Sequence, residues 1–66
     1  MSLKQILELV NKDIPRVVIT TESKIPELNI SSGQFVSLNK KDIQGEVLYR
    51  DVISISVINN MIMIEI

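Results

Sequence analysis

The chain has 66 residues, of which seven are basic and eight acidic, so its formal net charge is −1. This length predicts a single domain over residues 1–66, near the lower size at which a core holds without disulfides or metal. Because the sequence contains no Cys and no His, it excludes thiolate nucleophiles, histidine acid–base catalysis and zinc sites of the usual type. We therefore expect a protein that is not an enzyme and that carries no cofactor or metal.

The sequence also lacks the signals of membrane insertion and export. No apolar run approaches the length of a membrane-spanning helix, and the first residues do not resemble a signal peptide. The scattered charges create no strong field that would attract a polyanion or a membrane surface. These features favour a cytoplasmic protein with no membrane partner.

The first predicted element is a helix that starts directly after Ser2. Ser2 and Gln5 have the spacing of a capping box, in which each side chain satisfies a backbone amide of the other residue. The apolar stripe stops near residue 12, where Asn11 lies on the polar side and Pro15 follows shortly. A helix of about three turns is unstable alone in water, so we expect it to pack on a sheet. Its apolar side consists of Leu3, Ile6, Leu7 and Val10.

Four segments between the helix and the C-terminal region have the pattern of strands. Residues 16–21 are a β-branched run, and residues 28–31 form a short alternating stretch. Residues 34–39 predict a further strand, which follows a turn at Gly33 because Gly accepts a positive φ. Residues 43–50 show the clearest alternation and complete the set.

The alternation over residues 43–50 predicts a half-buried strand. Ile43, Gly45, Val47 and Tyr49 occupy one face, and the residues between them occupy the other. Gly45 inside such a strand predicts a bulge or a sharp bend, the feature by which short sheets curl toward a barrel.

Residues 51–66 predict a β-hairpin whose turn is Asn59 and Asn60. Asn tolerates the positive φ that both central residues of a tight two-residue turn require. This turn determines the register, because side chains alternate between the two faces along each strand. One face is then wholly aliphatic, and we expect it to form core beneath the helix. That face consists of Ile53, Ile55, Val57, Ile62, Ile64 and Ile66.

Together these elements predict an α+β fold in which an N-terminal helix packs on a strongly bent antiparallel sheet of about five short strands, ending in a β-hairpin. A small SH3-like or Sm-like barrel is the economical packing. A helix followed by five short, bent strands resembles the order of elements in Sm-like small barrels, which assemble into rings through their last strands and often bind RNA. Residues 47–57 also resemble the strand that precedes the last hairpin of bacterial PH-like domains. We assign no family from either likeness.

The second face of the hairpin carries apolar residues that the helix does not need. Ile58, Met61 and Met63 lie on this face, and Ile66 ends a strand that we expect at a sheet edge without a protecting Pro or Lys. Exposed apolar patches and unprotected edges usually mark association surfaces, and Met suits adaptable contacts. The alternative is that this face is more core in a closed barrel. We expect a small non-catalytic interaction module that self-associates through its C-terminal hairpin, or binds another protein, by these four residues.

A second interpretation is a weak nucleic-acid-binding small barrel. Its phosphate contacts would come from scattered cations, while Phe35 or Tyr49 would stack on a base. Nucleic-acid binding draws on dense positive charge and aromatic platforms, which this sequence has in small number, so it is the less favoured function. The candidate cations are Arg16, Lys24, Lys40, Lys41 and Arg50.

The carboxylates Asp42, Glu46 and Asp51 could gather near one end or face of the sheet, where they would bind a hard cation or transfer protons. Asp prefers turns, in which it caps the backbone, so structural roles are the simpler interpretation. Ser54 and Ser56 have no His or other evident base beside them to activate a nucleophile. We therefore expect no catalytic residue among these five.

Overall fold

A computed structural model of the chain describes residues 1–10 and 12–66. Within those residues the fold is α+β, with one α-helix and a four-stranded mixed sheet. Short 3₁₀ segments at Pro26–Leu28, Lys40–Asp42 and Gly45–Tyr49 connect the strands. The helix is α1 (Leu3–Leu9), and the strands are β1 (Arg16–Thr20), β2 (Phe35–Asn39), β3 (Ser54–Ile58) and β4 (Met61–Glu65).

The strands lie in the order β2-β1-β4-β3. The strand β1 pairs antiparallel with β2 and parallel with β4, and β3 pairs antiparallel with β4. The described part of the chain therefore forms an open sheet with β2 and β3 at its two edges. The sheet does not close into the predicted barrel and has four strands where about five were predicted, and the parallel pair of β1 and β4 corrects the predicted purely antiparallel sheet.

The centre of the sheet is β1, where Val17, Val18 and Ile19 are all buried. A continuous apolar run of this kind is typical of a strand that has a neighbour on each side and cover on its faces. Ile64 of β4 lies beside Ile19 in the parallel register and is fully buried. The middle of the sheet thus provides one wall of the core.

The helix α1 starts where the sequence predicts, and its capping box is confirmed. The Ser2 amide donates to Gln5 Oε1 at 2.9 Å, and the Gln5 amide donates to Ser2 Oγ at 3.3 Å. The helix ends at Leu9, three residues earlier than expected, because Val10 already has extended backbone angles. Asn11, which the sequence placed on the polar side of the helix, lies outside the described residues.

The core lies between α1, one face of the sheet and the connecting segments. Leu3 and Ile6 of the helix are buried in the same cluster as Ile19 and Ile64. The Leu3 amide also donates to the Arg50 carbonyl at 2.9 Å, which ties the helix to the chain before β3. The remaining buried members of this cluster are Val17, Ile25, Ile30, Ile43, Val47 and Ile66.

Two of the predicted strands do not form. At residues 28–31, Leu28 ends the 3₁₀ segment Pro26–Leu28, and Ile30 meets Ile25 in an isolated bridge. Residues 43–50 contain the 3₁₀ segment Gly45–Tyr49, so the predicted strand with a bulge is wrong there. Gly45 has φ +83°, the left-handed conformation that disfavours other residues and that turns the chain into the 3₁₀ segment.

The C-terminal hairpin matches its predicted turn and register. Asn59 and Asn60 have φ of 52° and 64°, and Ile58 lies opposite Met61. The predicted burial of one strand is wrong, however, because Ile53, Ile55 and Val57 are exposed. The helix packs against the 3₁₀ segment Gly45–Tyr49 and the middle of the sheet, and it leaves β3 uncovered.

Candidate protein interface

The strand β3 combines an edge position with full side-chain exposure. It pairs with β4 along one side, and among residues 1–10 and 12–66 no strand pairs with its other side. All five of its residues, Ser-Ile-Ser-Val-Ile, are exposed to solvent. None of the five carries a charge or is Pro, the features by which edge strands usually resist pairing with another chain. This strand is the candidate interface.

The backbone of β3 presents hydrogen-bonding groups to solvent at alternate residues. The Ile66 amide donates to the Thr20 carbonyl at 3.0 Å, so the even-numbered residues of β4 direct their backbone groups toward β1. The odd-numbered residues of β4 then face β3, where they pair with Ser54, Ser56 and Ile58. It follows that the amide and carbonyl groups of Ile55 and Val57 point to the free edge.

The ends of this free edge are set by two further backbone bonds. The Val52 amide donates to the Met1 carbonyl at 2.8 Å, and the Ile53 amide donates to the Glu65 carbonyl at 2.8 Å. The chain before β3 is therefore already paired. Unpaired edge geometry begins at Ile55 and runs to the Asn59 turn.

The two faces of β3 differ in character. Ile55 and Val57 lie on the same face as Ile62 and Ile64, which is the face that the helix covers further along the sheet. The opposite face carries Ser54, Ser56 and Ile58, and the Ser54 hydroxyl donates to Glu65 Oε1 at 2.9 Å. An apolar row thus lies on the helix side of the edge, and a mainly hydroxyl row lies on the other.

A shallow apolar groove runs between the start of α1 and β3. Its volume is about 280 Å³, and Met1 and Ile53 at its rim are about two-thirds exposed. The apolar row of β3 continues into this groove through Ile55. Its lining residues are Met1, Ile6, Val52, Ile53, Ser54 and Ile55.

The opposite edge of the sheet is built differently. On β2, the Arg16 guanidinium reaches across from β1 and donates to the Ser37 carbonyl at 3.1 Å and to Ser37 Oγ at 3.3 Å. The Lys40 amide donates to the Pro15 carbonyl, so the pairing pattern directs the Ser37 carbonyl toward the outer edge. A charged side chain therefore occupies the middle of the β2 edge.

The residues that the sequence singled out as an interface divide between surface and core. Ile58 and Met61 are about half exposed and lie opposite each other beside the turn. Met63 is partly buried next to Ser56 and Val18. Ile66 is buried, and its amide is bonded within its own chain, so it does not contribute to an exposed surface.

The candidate nucleic-acid contacts lie in two separate groups. Arg16 begins β1, and Lys40 and Lys41 follow β2, whose last residue lies opposite Arg16. Lys24 lies beyond the other end of β1, where the Arg50 guanidinium donates to its carbonyl at 3.4 Å. This division favours no single phosphate-binding surface, and nucleic-acid binding stays a prediction.

The aromatic residues of that interpretation are also separated. Phe35 begins β2, whereas Tyr49 ends a 3₁₀ segment and lies below the ammonium group of Lys4 at 5.9 Å from the ring centre. Both rings are exposed, but they occupy different elements.

The three candidate carboxylates occupy separate places. Asp42 ends the 3₁₀ segment Lys40–Asp42, Glu46 lies in the segment Gly45–Tyr49, and Asp51 bridges to Ser2. Across residues 1–10 and 12–66, no group of three or more His, Cys, Asp or Glu side chains could hold a metal ion. The same residues contain no helix long and apolar enough to cross a membrane.

Sequence reasoning assigned Ile55 and Val57 to the core and so missed the free edge. A usable signal was present, because hydroxyl and apolar residues alternate from Ser54 to Val57 and the strand Ser54–Ile58 carries no charge. Compared with protein-family models, with curated proteins and with solved structures, the chain matches none of them.

Proposed function

We propose that the protein is a small non-catalytic interaction module that self-associates through its C-terminal hairpin. The observation that carries this proposal is the free edge of β3, with every side chain exposed and no protecting charge or proline. Such an edge is a template for pairing with another strand. Of the residues expected from the sequence, Ile58 belongs to this edge strand, Met61 and Met63 lie on the neighbouring strand β4, and Ile66 is left out because it is buried.

Exposed apolar side chains support association at this edge. Ile55 and Ile58 are each 48% exposed, and Val57 is 69% exposed, on a chain whose core is small. Burying such side chains is favourable by roughly 25 cal/mol for each Å² removed from water. Association through β3 would therefore combine new backbone hydrogen bonds with burial of apolar surface.

The test is the mass of the protein in solution. Size-exclusion chromatography with light scattering at tens of micromolar should give at least the mass of a dimer. Val57→Lys should shift the protein to monomer, because the substitution places a charge in the apolar row and at the pairing edge. We expect association to weaken roughly tenfold or more, which corresponds to about 1.4 kcal/mol.

Phe35→Lys is the matched control. Phe35 lies on the other edge of the sheet and is 68% exposed, nearly the same as Val57. This variant adds the same charge at an edge that the proposal does not use, so its mass should equal that of the unaltered protein. A wild-type chain that is a monomer at these concentrations would contradict self-association.

A further inference from the structure

We infer that two copies of the chain join by antiparallel pairing of their β3 strands about a two-fold axis beside Ser56. This inference rests on the proposed self-association and specifies its partner, its register and its symmetry. In this arrangement Ile55 of each copy lies opposite Val57 of the other, and Ser56 lies opposite itself.

Backbone geometry supports this register. Ile55 and Val57 are the residues of β3 whose amide and carbonyl groups point to the free edge, as the Ile66 bond to Thr20 requires. When Ile55 lies opposite Val57 of the second copy, the amide of each residue donates to the carbonyl of the other. The two-fold axis creates two such pairs, so four hydrogen bonds join the chains and every edge-facing amide and carbonyl of these residues is bonded.

Shifting the pairing by two residues toward the start of β3 moves the two-fold axis from Ser56 to Ile55, and fewer backbone groups are then free to pair. Val57 of the second copy would lie opposite Ile53, whose amide is already bonded to the Glu65 carbonyl. The shift would also place Ile58 of the second copy opposite Val52, whose amide is bonded to the Met1 carbonyl. The Ser56-centred register avoids both conflicts.

The side chains agree with the same arrangement. A two-fold axis that relates antiparallel strands stands perpendicular to the sheet, so both helices lie on the same side of the joined sheet. Ile55 then contacts Val57 of the second copy on the helix side, next to the groove that Ile55 lines. On the other face Ser56 meets Ser56, and Ser54 meets Ile58.

A second copy is the occupant that this edge fits. The strand carries no charge, so two identical strands approach without like-charge repulsion. Its apolar residues Ile55 and Val57 are placed symmetrically about Ser56, and antiparallel self-pairing brings apolar side chains together. A two-fold interface requires self-complementarity of this kind.

The test uses single cysteines in a chain that has none. Ser56→Cys should form a disulfide-linked dimer under mild oxidation, because residues opposite each other in a non-hydrogen-bonded pair have Cα atoms about 4.5 Å apart. Ser54→Cys alone should stay unlinked, since the two copies of residue 54 would be about 13 Å apart along the strands. A mixture of Ser54→Cys and Ile58→Cys should form the mixed dimer.

Non-reducing gels and intact mass read out the result, with circular dichroism to verify folding. More than half of Ser56→Cys should be linked at tens of micromolar, against a few per cent of Ser54→Cys. If light scattering shows a dimer but Ser56→Cys stays unlinked, the register is overturned while self-association stands. Linking in a mixture of Ser54→Cys and Ser56→Cys would indicate the shifted register. A monomeric wild type would overturn both proposals.

Amide hydrogen exchange gives an independent measurement on the unaltered chain. In the dimer, the Ile55 and Val57 amides should exchange slowly, together with those of Ser54 and Ser56. In Val57→Lys, Ile55 should exchange at least tenfold faster, while the Ser54 and Ser56 amides, which face β4, stay protected. Slow exchange of Ile55 in a monomeric variant would contradict the assignment of its amide to the free edge.

Discussion

Two asparagine residues determine how the C-terminal strands meet. Asn59 and Asn60 both adopt positive φ, at 52° and 64°, and they place Ile58 opposite Met61. A positive φ costs most L-residues roughly 1–2 kcal/mol, and Asn is among the few that tolerate it. Because the register decides which side chains reach the free edge, these two residues also shape the candidate interface.

The cost of this conformation is testable at Asn60. Asn60→Val should lower the free energy of unfolding by about 1–2 kcal/mol, because a β-branched residue is strained at positive φ. Asn60→Gly should leave it unchanged or raise it slightly, since Gly adopts this conformation readily. Urea unfolding monitored by circular dichroism compares the two variants at one position. Equal stability of both variants would show that φ at residue 60 does not limit the hairpin.

The helix α1 depends on its cap, because seven residues are too few to form a helix alone. Ser2→Ala removes the side chain that accepts the Gln5 amide, so the free energy of unfolding should fall by about 1 kcal/mol. Ser32→Ala, at an exposed serine in the turn before β2, serves as control and should stay within about 0.5 kcal/mol. Urea unfolding of both variants measures the difference, and equal losses would contradict a special role for the cap.

Elements whose pattern is local could be predicted from the sequence. The hairpin register follows from the Asn59–Asn60 turn alone, and the start of α1 follows from the capping box at Ser2 and Gln5. In both cases a few neighbouring residues contain the whole signal. The strands β1 and β2 were also found, because each is a short β-branched or alternating run.

The segment at residues 43–50 shows why alternation can mislead. Ile43 and Val47 are buried, but Gly45 has no side chain to bury and Tyr49 is exposed. The apparent period of two thus depended on two buried residues four apart, a spacing that suits a helical turn equally well. The positive φ at Gly45 then starts the 3₁₀ segment.

The parallel pairing of β1 with β4 had no local signal. More than forty residues separate Ile19 from Ile64, and they contain β2, the 3₁₀ segments and β3. The three successive apolar residues of β1, all of them buried, indicate a central strand. They do not indicate which strand pairs with it. The candidate interface could not be predicted for the same reason, because β3 becomes an exposed edge only once β4 lies beside β1.

At the scale of the whole molecule, the proposed association would be linked to folding stability. A domain of 66 residues has a small core, so its free energy of unfolding has little margin. Binding that requires the folded state adds to this margin by mass action. The joined sheet proposed above would therefore stabilise each chain as well as connect two chains.

This linkage predicts a melting temperature that depends on concentration. Above the dissociation constant, a hundredfold increase in protein concentration should raise the free energy of unfolding by about 1.4 kcal/mol for each chain. The melting temperature should then rise by about 5–10 °C. Differential scanning fluorimetry or calorimetry across that range measures the shift. Val57→Lys should melt at the same temperature throughout. A concentration-independent midpoint in the unaltered protein would show that folding and association are not coupled.

The guanidinium of Arg16 bears on how far an assembly of this chain can grow. Joining two β3 strands leaves a β2 strand at each end of the enlarged sheet. If the β2 strand of one dimer could pair with the β2 strand of the next, copies would add without limit and form a filament rather than a closed dimer. The Arg16 bonds to Ser37 occupy that edge with a charged group. In the proposed dimer, this one charged side chain would oppose strand pairing at the β2 edges and would limit the assembly to two copies.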